Sequence, residues 1–451
     1  GQLGTQAVQI WSRDAAGNAD FCESFLIVQD PSGLCSPGST LSVAGSLLTE
    51  DVDGLEDGYV EIQGFHPAGP TFNYFQMTDD LGAFKFSNAI PIFGNYTITP
   101  TKDDNPLNGV TTYDLVLISQ HILGLQPLGS PYKMIAADAN KSGSITTADI
   151  VELRKLILGV VDELPNNTSW RFVDKNFVFP DMNNPFVTNF PENKTVADIQ
   201  SNKMDENFVA VKVGDVNSTS TPNSLISIDE RSSGTWNLDV LTETTTNVEA
   251  GDEFTVRFRS EQPILGYQLT FLFPELEVKD LQPVRGVTDE NFAVFNLEDA
   301  ITSSWFGAEP VEFDITFKAK SAGDLTKMIT VSNRITKSEA YNREGEKLNI
   351  MLRYQQKDGA VSVGVGFELY QNIPNPFINK TVIGFNLPEA TEAKLTVYDE
   401  MSRVIHTESG HFGKGYNTIA IDSSKLDSAG MLYYKVETAT DSAVRTMIRV
   451  R

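Results

Sequence analysis

Between residues 138 and 149, oxygen-bearing side chains recur at a spacing that can hold a cation. In the stretch DANKSGSITTAD, Asp138, Asn140, Ser142, Thr146 and Asp149 fall at positions 1, 3, 5, 9 and 12, and Ser144 at position 7 offers its backbone carbonyl. Gly143 stands at position 6, where such a loop turns sharply, and Ile145 at position 8 faces inward. A hard cation such as Ca²⁺ takes about six to eight oxygens at roughly 2.3–2.6 Å, and this order of donors wraps them around one point. A helix pattern follows, with Ile150, Leu153, Ile157 and Leu158 at helical spacing and Gly159 as the stop. Position 12 carries Asp149 where a bidentate Glu is usual, one methylene shorter. The plain alternative is a solvated acidic turn that caps a helix.

The pattern is duplicated. Residues 111–124 (TTYDLVLISQHILG) align without a gap on residues 146–159 (TTADIVELRKLILG), matching Thr, Thr, Asp, Val, Ile, Leu and Gly. A repeat of this kind is stronger than either loop alone. Together the halves resemble a type I dockerin, a paired loop–helix module that binds two Ca²⁺. The resemblance implies a first loop, DDNPLNGVTTYD, with Asp103, Asn105, Thr111 and Asp114 at positions 1, 3, 9 and 12. That loop is degenerate, because position 5 is Leu107 and position 6 is Asn108. It reads either as a calcium site or as a metal-free turn held by hydrogen bonds.

The elements that position these loops are mostly strands. A chain of 451 residues exceeds what one core serves, so several domains are expected. Lys and Arg number 35 against 60 Asp and Glu, for a net charge of −25. With no basic stripe to neutralise phosphates, nucleic acid and anionic membrane surfaces are poor partners, and divalent cations are favoured. No apolar run approaches the roughly 18 residues of a membrane span. The opening GQLGTQAVQIW begins inside a strand pattern without a basic leader, so the chain reads as the C-terminal part of a longer protein. Cys22 and Cys35 fit one disulfide or two buried thiols.

Residues 5–30 alternate on both sides of the turn cluster DAAGN, which predicts a hairpin with Trp11 and Phe21 in a core. It resembles the end of a hyalin-type immunoglobulin-like repeat. Residues 39–100 read as short strands, and TDDLGAFKF…IFGNYTITP resembles a transthyretin-like (carboxypeptidase-regulatory-like) sandwich. By that resemblance Gly82 makes the turn while Phe84, Phe86 and Tyr96 face the core. A tail rich in Asn, Pro and Phe, residues 165–207, has no clear period and is expected to pack on its neighbours. It closes in FVAVKVGDVNST, where Asp215 and Asn217 repeat the D-x-N loop start; they either complete a calcium site or form an Asx turn.

Residues 234–361 alternate in strand after strand. The run AGDEFTVRF…LGYQLTFLFPELEVKDLQPVRG…ITFKAK resembles a cohesin, the jelly-roll receptor of dockerins; a generic β-sandwich spacer fits equally. The last block closely resembles the C-terminal sorting domain of proteins exported by the type IX secretion system of Bacteroidetes. Its matching residues are Asn375-Pro376-Phe377, residues 381–387 before Pro388, Val397-Tyr398-Asp399, Gly415, Gly430, Tyr434-Lys435 and Met447-Ile448, with Ser402 where a Gly often precedes Arg403.

The four histidines, His66, His121, His406 and His411, have no His or Cys at zinc spacing, and no nucleophile elbow, Walker loop or dinucleotide fingerprint occurs. The reading is therefore a non-enzyme. The fold class is mainly β and multi-domain, with serial β-sandwiches (immunoglobulin-, transthyretin- and jelly-roll-like) and one small α-helical dockerin-like calcium module. Its domains are 1–36, the hyalin-type end; 37–101, the transthyretin-like sandwich; 102–222, the paired calcium module with its tail; 223–363, the cohesin-like sandwich; and 364–451, the sorting domain. The resemblances imply a calcium-rigidified structural or adhesive region, extracellular or on the outer cell surface. They also imply type IX secretion machinery as a partner and self-association of the dockerin-like and cohesin-like modules, head-to-tail fibres included. The alternative is a scaffold-docking or carbohydrate-binding tail of a secreted polysaccharide-degrading enzyme.

Overall fold

The computed structural model describes residues 4–13, 19–28, 40–66, 71–223, 234–242, 247–356, 361–363, 368–372, 374–387, 390–399, 403–413, 415–426, 428–439 and 442–450. They form a mainly β, multi-domain chain, and among them no helix is long and apolar enough to cross a membrane. Two compact units result, each discontinuous in sequence. The first comprises Gly1–Gly109, Leu128–Ile145 and Pro165–Ser227; the second comprises Val110–Pro127, Thr146–Leu164 and Ile228–Arg451.

The first unit opens with a hairpin of β1 (Gly4–Arg13) and β2 (Ala19–Val28), Trp11 opposite Phe21. Its turn, residues 14–18, lies outside the described residues. Phe21 is 43% exposed, which corrects the expectation of a core position. The hairpin pairs with no further strand among the described residues. Cys22 is an exposed free thiol, and Cys35 lies outside the described residues.

Strands β3 (Thr40–Leu48), β4 (Tyr59–Phe65), β5 (Thr71–Met77), β6 (Ala83–Pro91) and β7 (Asn95–Thr101) follow the alternation of their sequences. Gly82 turns at φ 74, and Phe84, Phe86 and Tyr96 are buried, as the pattern requires. These five strands do not close the sandwich. After helix α2 (Pro131–Ala137), three more strands join them: β8 (Trp170–Asp174), β9 (Lys194–Val196) and β10 (Phe208–Lys212). The two sheets run β6-β3-β10-β8 and β5-β4-β7-β9, with β10 parallel to β3. The tail without a period thus supplies Trp170, Phe172, Ile199 and Phe208 to the core shared with Val43, Leu47, Ile62 and Ile98. Tyr96 sits in this core beside Glu206; burial, then the Glu206 charge, pushes its phenol well above the ordinary range.

The second unit begins with α1 (Thr112–Ile122) and α3 (Thr147–Ile157). Its sandwich consists of β11 (Gly234–Thr242), β12 (Asn247–Val248), β13 (Glu253–Ser260), β14 (Gly266–Leu272), β15 (Leu276–Arg285), β16 (Phe292–Phe295), β17 (Ala300–Phe306) and β18 (Val311–Ala319). It continues through β19 (Gly323–Asp324), α4 (Leu325–Met328), β20 (Thr330–Ser332), β21 (Glu339–Tyr341), β22 (Lys347–Gln356) and β23 (Val361–Val363). One path of hydrogen bonds, β15-β18-β13-β11-β22-β21-β14-β17-β16, folds round a core that includes Trp236, Phe258, Tyr267, Phe271 and Phe313. Trp236 stacks on Tyr267 with ring centroids 4.9 Å apart.

A last sandwich pairs β24 (Glu368–Leu369), β25 (Lys380–Leu387) and β28 (Gly415–Asp422) in one sheet. Its other sheet holds β26 (Thr391–Tyr398), β27 (Val404–Phe412), β29 (Gly430–Glu437) and β30 (Ser442–Arg449). The Asn375-Pro376-Phe377 segment clasps the final strand. Asn375 Oδ1 accepts from the Ile448 N–H at 2.7 Å, Phe377 N–H donates to the Ile448 carbonyl, and Val450 N–H donates to the Phe377 carbonyl. The Phe377 side chain is buried in the same core as Met447 and Tyr434.

The contribution of the tail to the first sandwich is open to test. A Cβ on Gly45 would stand 2.0 Å from the Glu206 carbonyl oxygen and 2.8 Å from the Phe84 ring, so strand β3 needs glycine there for residues 203–207 to lie against it. Gly45→Ala should destabilise this sandwich by about 2 kcal/mol or more, read as a lower denaturation midpoint. An unchanged midpoint would mean that the tail does not dock on β3.

Candidate functional site

The helix ends belong to the second unit. Thr111 and Thr146 are N-caps of α1 and α3, each reinforced by an aspartate three residues on. Asp114 Oδ2 accepts from the Thr111 N–H at 2.9 Å, and Asp149 Oδ2 accepts from the Thr146 N–H at 2.8 Å. These capping boxes satisfy orphan donors at both helix starts and explain why Thr-Thr-x-Asp recurs. Both carboxylates are fully buried. The C-terminal stops are Gly124 and Gly159, with φ of 70 and 72. Ile150, Leu153, Ile157 and Leu158 are buried, as their spacing predicts.

In the first unit, the leading half of the loop at residue 138 is tightly formed. Asp138 is 1% exposed; its Oδ1 accepts from the Ser142 N–H at 2.8 Å and its Oδ2 from the Gly143 N–H at 2.9 Å. Asn140 Oδ1 accepts from the same Ser142 N–H at 3.0 Å. The Ser142 hydroxyl lies 3.2 Å from the Ser144 carbonyl, 3.1 Å from the Ser144 hydroxyl and 3.4 Å from Asp138 Oδ1. The Ser142 and Ser144 hydroxyls bring two hydrogens to these three contacts, so one pair of oxygens is left without a hydrogen between them. This donor set is all hard oxygen, which fits Ca²⁺. Bound there, the ion would supply positive charge to ligands that otherwise crowd oxygen on oxygen. Asp138 and Asn140 would hold it through side-chain oxygens, Ser142 through its hydroxyl and Ser144 through its carbonyl.

The first loop is different. Asp103 and Asn105 are exposed, and Asp103 Oδ1 accepts from the Ser169 N–H at 2.8 Å. No group of three or more His, Cys, Asp or Glu converges among the described residues. The side-chain and carbonyl oxygens gathered at residues 138–144 come from one carboxylate and from amide, hydroxyl and backbone groups. His121 lies in α1 and His406 and His411 lie in β27, and none joins a loop.

Within the second unit, α1 and α3 pack on each other, and α1 packs on β14 and β17. The covered strip of sheet is polar yet buried: Gln268 is 2% exposed, and Thr270, Thr302 and Ser304 are fully buried. Alternation explains this, because Tyr267, Leu269 and Phe271 point into the core and their neighbours point outward. Gln268 Oε1 accepts from the Thr112 N–H at 2.6 Å, a donor that the first turn of α1 leaves open. The Thr112 and Ser304 hydroxyls pair at 2.7 Å. At the other end of the helix pair, the Thr302 hydroxyl donates to the Leu158 carbonyl at 2.6 Å. Tyr113 stacks on Tyr341 at 5.1 Å, and the Arg154 guanidinium lies 5.3 Å from the centre of the Phe306 ring. Burial, and then the Glu339 charge, raises the Tyr341 phenol well above its ordinary pKa, so it stays neutral as a hydrogen-bond donor to Glu339. Burial lowers the pKa of Arg154, against the opposing effect of Glu290. Sequence patterning shows the two helices and the strands but not this contact, because the residues that make it are ordinary Thr, Ser and Gln.

No protein-family model matches the chain, and no curated protein matches it. Solved structures with matching segments include a tetra-tandem repeat from the extending region of a large adhesion protein. It is 11% identical and covers 98% of this chain and 81% of that one, with a TM-score of 0.15. The β-glucuronidase of Parabacteroides merdae is 9% identical over 45% of this chain and 29% of its own, with a TM-score of 0.17. The ligand-binding domain of human OSCAR is 11% identical over 48% of this chain and 100% of its own, with a TM-score of 0.14. Superposition at this level carries no argument about function.

The helix–sheet contact can be tested directly. Thr112→Val keeps the volume but strands the buried Ser304 hydroxyl, so it should cost about 1–3 kcal/mol of stability in chemical denaturation. A variant as stable as the parent would show that the contact is not formed in solution.

Proposed function

We propose that this chain is a non-catalytic, calcium-ordered structural or adhesive region of an extracellular or outer-surface protein, exported by the type IX secretion machinery through residues 364–451. The observation that carries the reading is the helix pair seated on the buried polar strip of β14 and β17 in the same chain. A face that would otherwise await a partner is occupied by an internal joint. Head-to-tail assembly through that face requires the helix pair of one chain to leave its own sheet for that of the next. Support for calcium comes from the oxygen-only donors at residues 138–144, and support for the export route comes from the Asn375-Pro376-Phe377 clasp on the last strand.

Calcium titration of the purified chain, followed by melting and light scattering, tests this. Ligand that binds only the native state stabilises it by about 2.7 kcal/mol at a hundredfold excess over Kd. The midpoint should therefore rise by a few degrees with Ca²⁺ and fall back with chelator, and Asp138→Ala should blunt the rise. The chain should stay monomeric throughout. Absence of any calcium heat or shift would sink the calcium reading; calcium-dependent oligomers would favour fibres over a joint.

One observation favours the second reading, a carbohydrate-binding tail. The outer face of β4 and β5 exposes Tyr59 (37%), Phe65 (49%) and Phe75 (70%) beside Gln63 and Asn73, and Tyr59 stacks on Phe75 at 5.6 Å. Aromatic faces flanked by amides suit sugar rings. A glycan array should then give hits that Phe75→Ala abolishes, and an empty array would remove this reading.

A further inference from the structure

Residues 215–219 read Asp-Val-Asn-Ser-Thr, the order of Asp-Ala-Asn-Lys-Ser at residues 138–142. The two runs are also built alike. In each, the aspartate and the next residue are buried, the asparagine is half-buried and the last two residues are exposed. The fourth residue of each is left-handed, with φ 57 at Lys141 and φ 61 at Ser218. Asp215 Oδ1 accepts from the Thr219 N–H at 3.1 Å and Oδ2 from the Ser220 N–H at 2.7 Å, as Asp138 does from Ser142 and Gly143.

The match extends to the next oxygen. Thr219 Oγ1 lies 3.0 Å from the Gly109 carbonyl and 2.7 Å from Asn217 Oδ1, so one hydroxyl hydrogen again faces two oxygens. Ser142 stands in the same relation to the carbonyl of Ser144, at position 7 of its loop, and Gly109 holds position 7 of the first loop. Gly109, at φ 75, packs so closely that a Cβ would stand 2.8 Å from Asp215 Oδ2 and 2.4 Å from the Ser220 nitrogen. Asn108 fastens the two segments, its amide donating to the Thr221 carbonyl and its Oδ1 accepting from the Thr221 N–H, both at 2.9 Å.

We infer that the leading half of the first calcium loop is supplied by residues 215–219, with Asp215, Asn217 and Thr219 acting at positions 1, 3 and 5 and the Gly109 carbonyl at position 7. Asp103 and Asn105, which the continuous reading puts there, are exposed, and Leu107 has no side-chain oxygen. The donors are again hard oxygens, one buried carboxylate with amide, hydroxyl and carbonyl oxygens around it, the set a Ca²⁺ ion takes. In sequence, Gly109 leads to Thr111 and Asp114 as Ser144 leads to Thr146 and Asp149. The inference rests on the calcium reading of the loop at residue 138, whose donor set it transfers.

Isothermal titration of the calcium-depleted chain with CaCl₂ decides it. The parent should take two equivalents. Asp215→Asn and Asp138→Asn should each lose one site or weaken it by about tenfold or more, since ligand charge tunes affinity, whereas Asp103→Asn should keep both. Asn217→Ala, which leaves the Asp215 turn in place, should also weaken one site and guards against misfolding of the first variant. If Asp215→Asn and Asn217→Ala bind as the parent does while Asp138→Asn loses a site, the split loop is overturned and the calcium reading survives. A parent without calcium heat overturns both.

Discussion

The unpaired ends of two short helices set the terms for the second unit. A helix leaves N–H groups open at its start and carbonyls open at its end, and burying them without partners is costly. Here β14 and β17 answer both needs. Gln268 accepts from the start of α1, and Thr302 donates to the end of α3. The sheet gains as much as the helices, since Gln268, Thr302 and Ser304 would otherwise be polar groups sealed beneath a helix pair. Each surface satisfies the other, so the contact is specific in a way that apolar packing alone is not.

That mutual satisfaction explains how helices of eleven residues are held in the second unit. Isolated helices of this length are marginal in water. Thr-Asp capping boxes hold their starts, glycines end them, and the sheet covers their shared face. In the first unit, the Ser142 hydroxyl lies within 3.2 Å of both the carbonyl and the hydroxyl of Ser144.

The first unit follows a different constraint. Its sandwich takes β10 between β3 and β8, so residues beyond the helices complete a core begun before them. Close approach at Gly45 and Gly109 allows those returning segments to lie against the earlier ones. One consequence is that distant stretches of sequence become neighbours. The D-x-N-x-T run at residue 215 meets Gly109 for this reason, and a reading confined to contiguous loops has no means of pairing them.

Local pattern alone determined the alternating strands, the duplicated loop–helix unit, the turn at Gly82 and the helix stops at Gly124 and Gly159. Each depends on residues within a turn or two, where periodicity and backbone freedom suffice. The burial of Phe84, Phe86, Tyr96, Ile150 and Leu153 followed from the same periodicity. Tertiary structure decided what the aperiodic residues 165–212 do, because short strands such as β9 take their identity from the strand they join. It likewise decided that Phe21 is exposed, since alternation says which residues share a face but not whether that face is covered. Above all it decided that Thr112, Gln268, Thr302 and Ser304 form an interface. Polar residues on a strand's outer face look the same in sequence whether water or a helix end meets them, and only the fold brings the helix ends there.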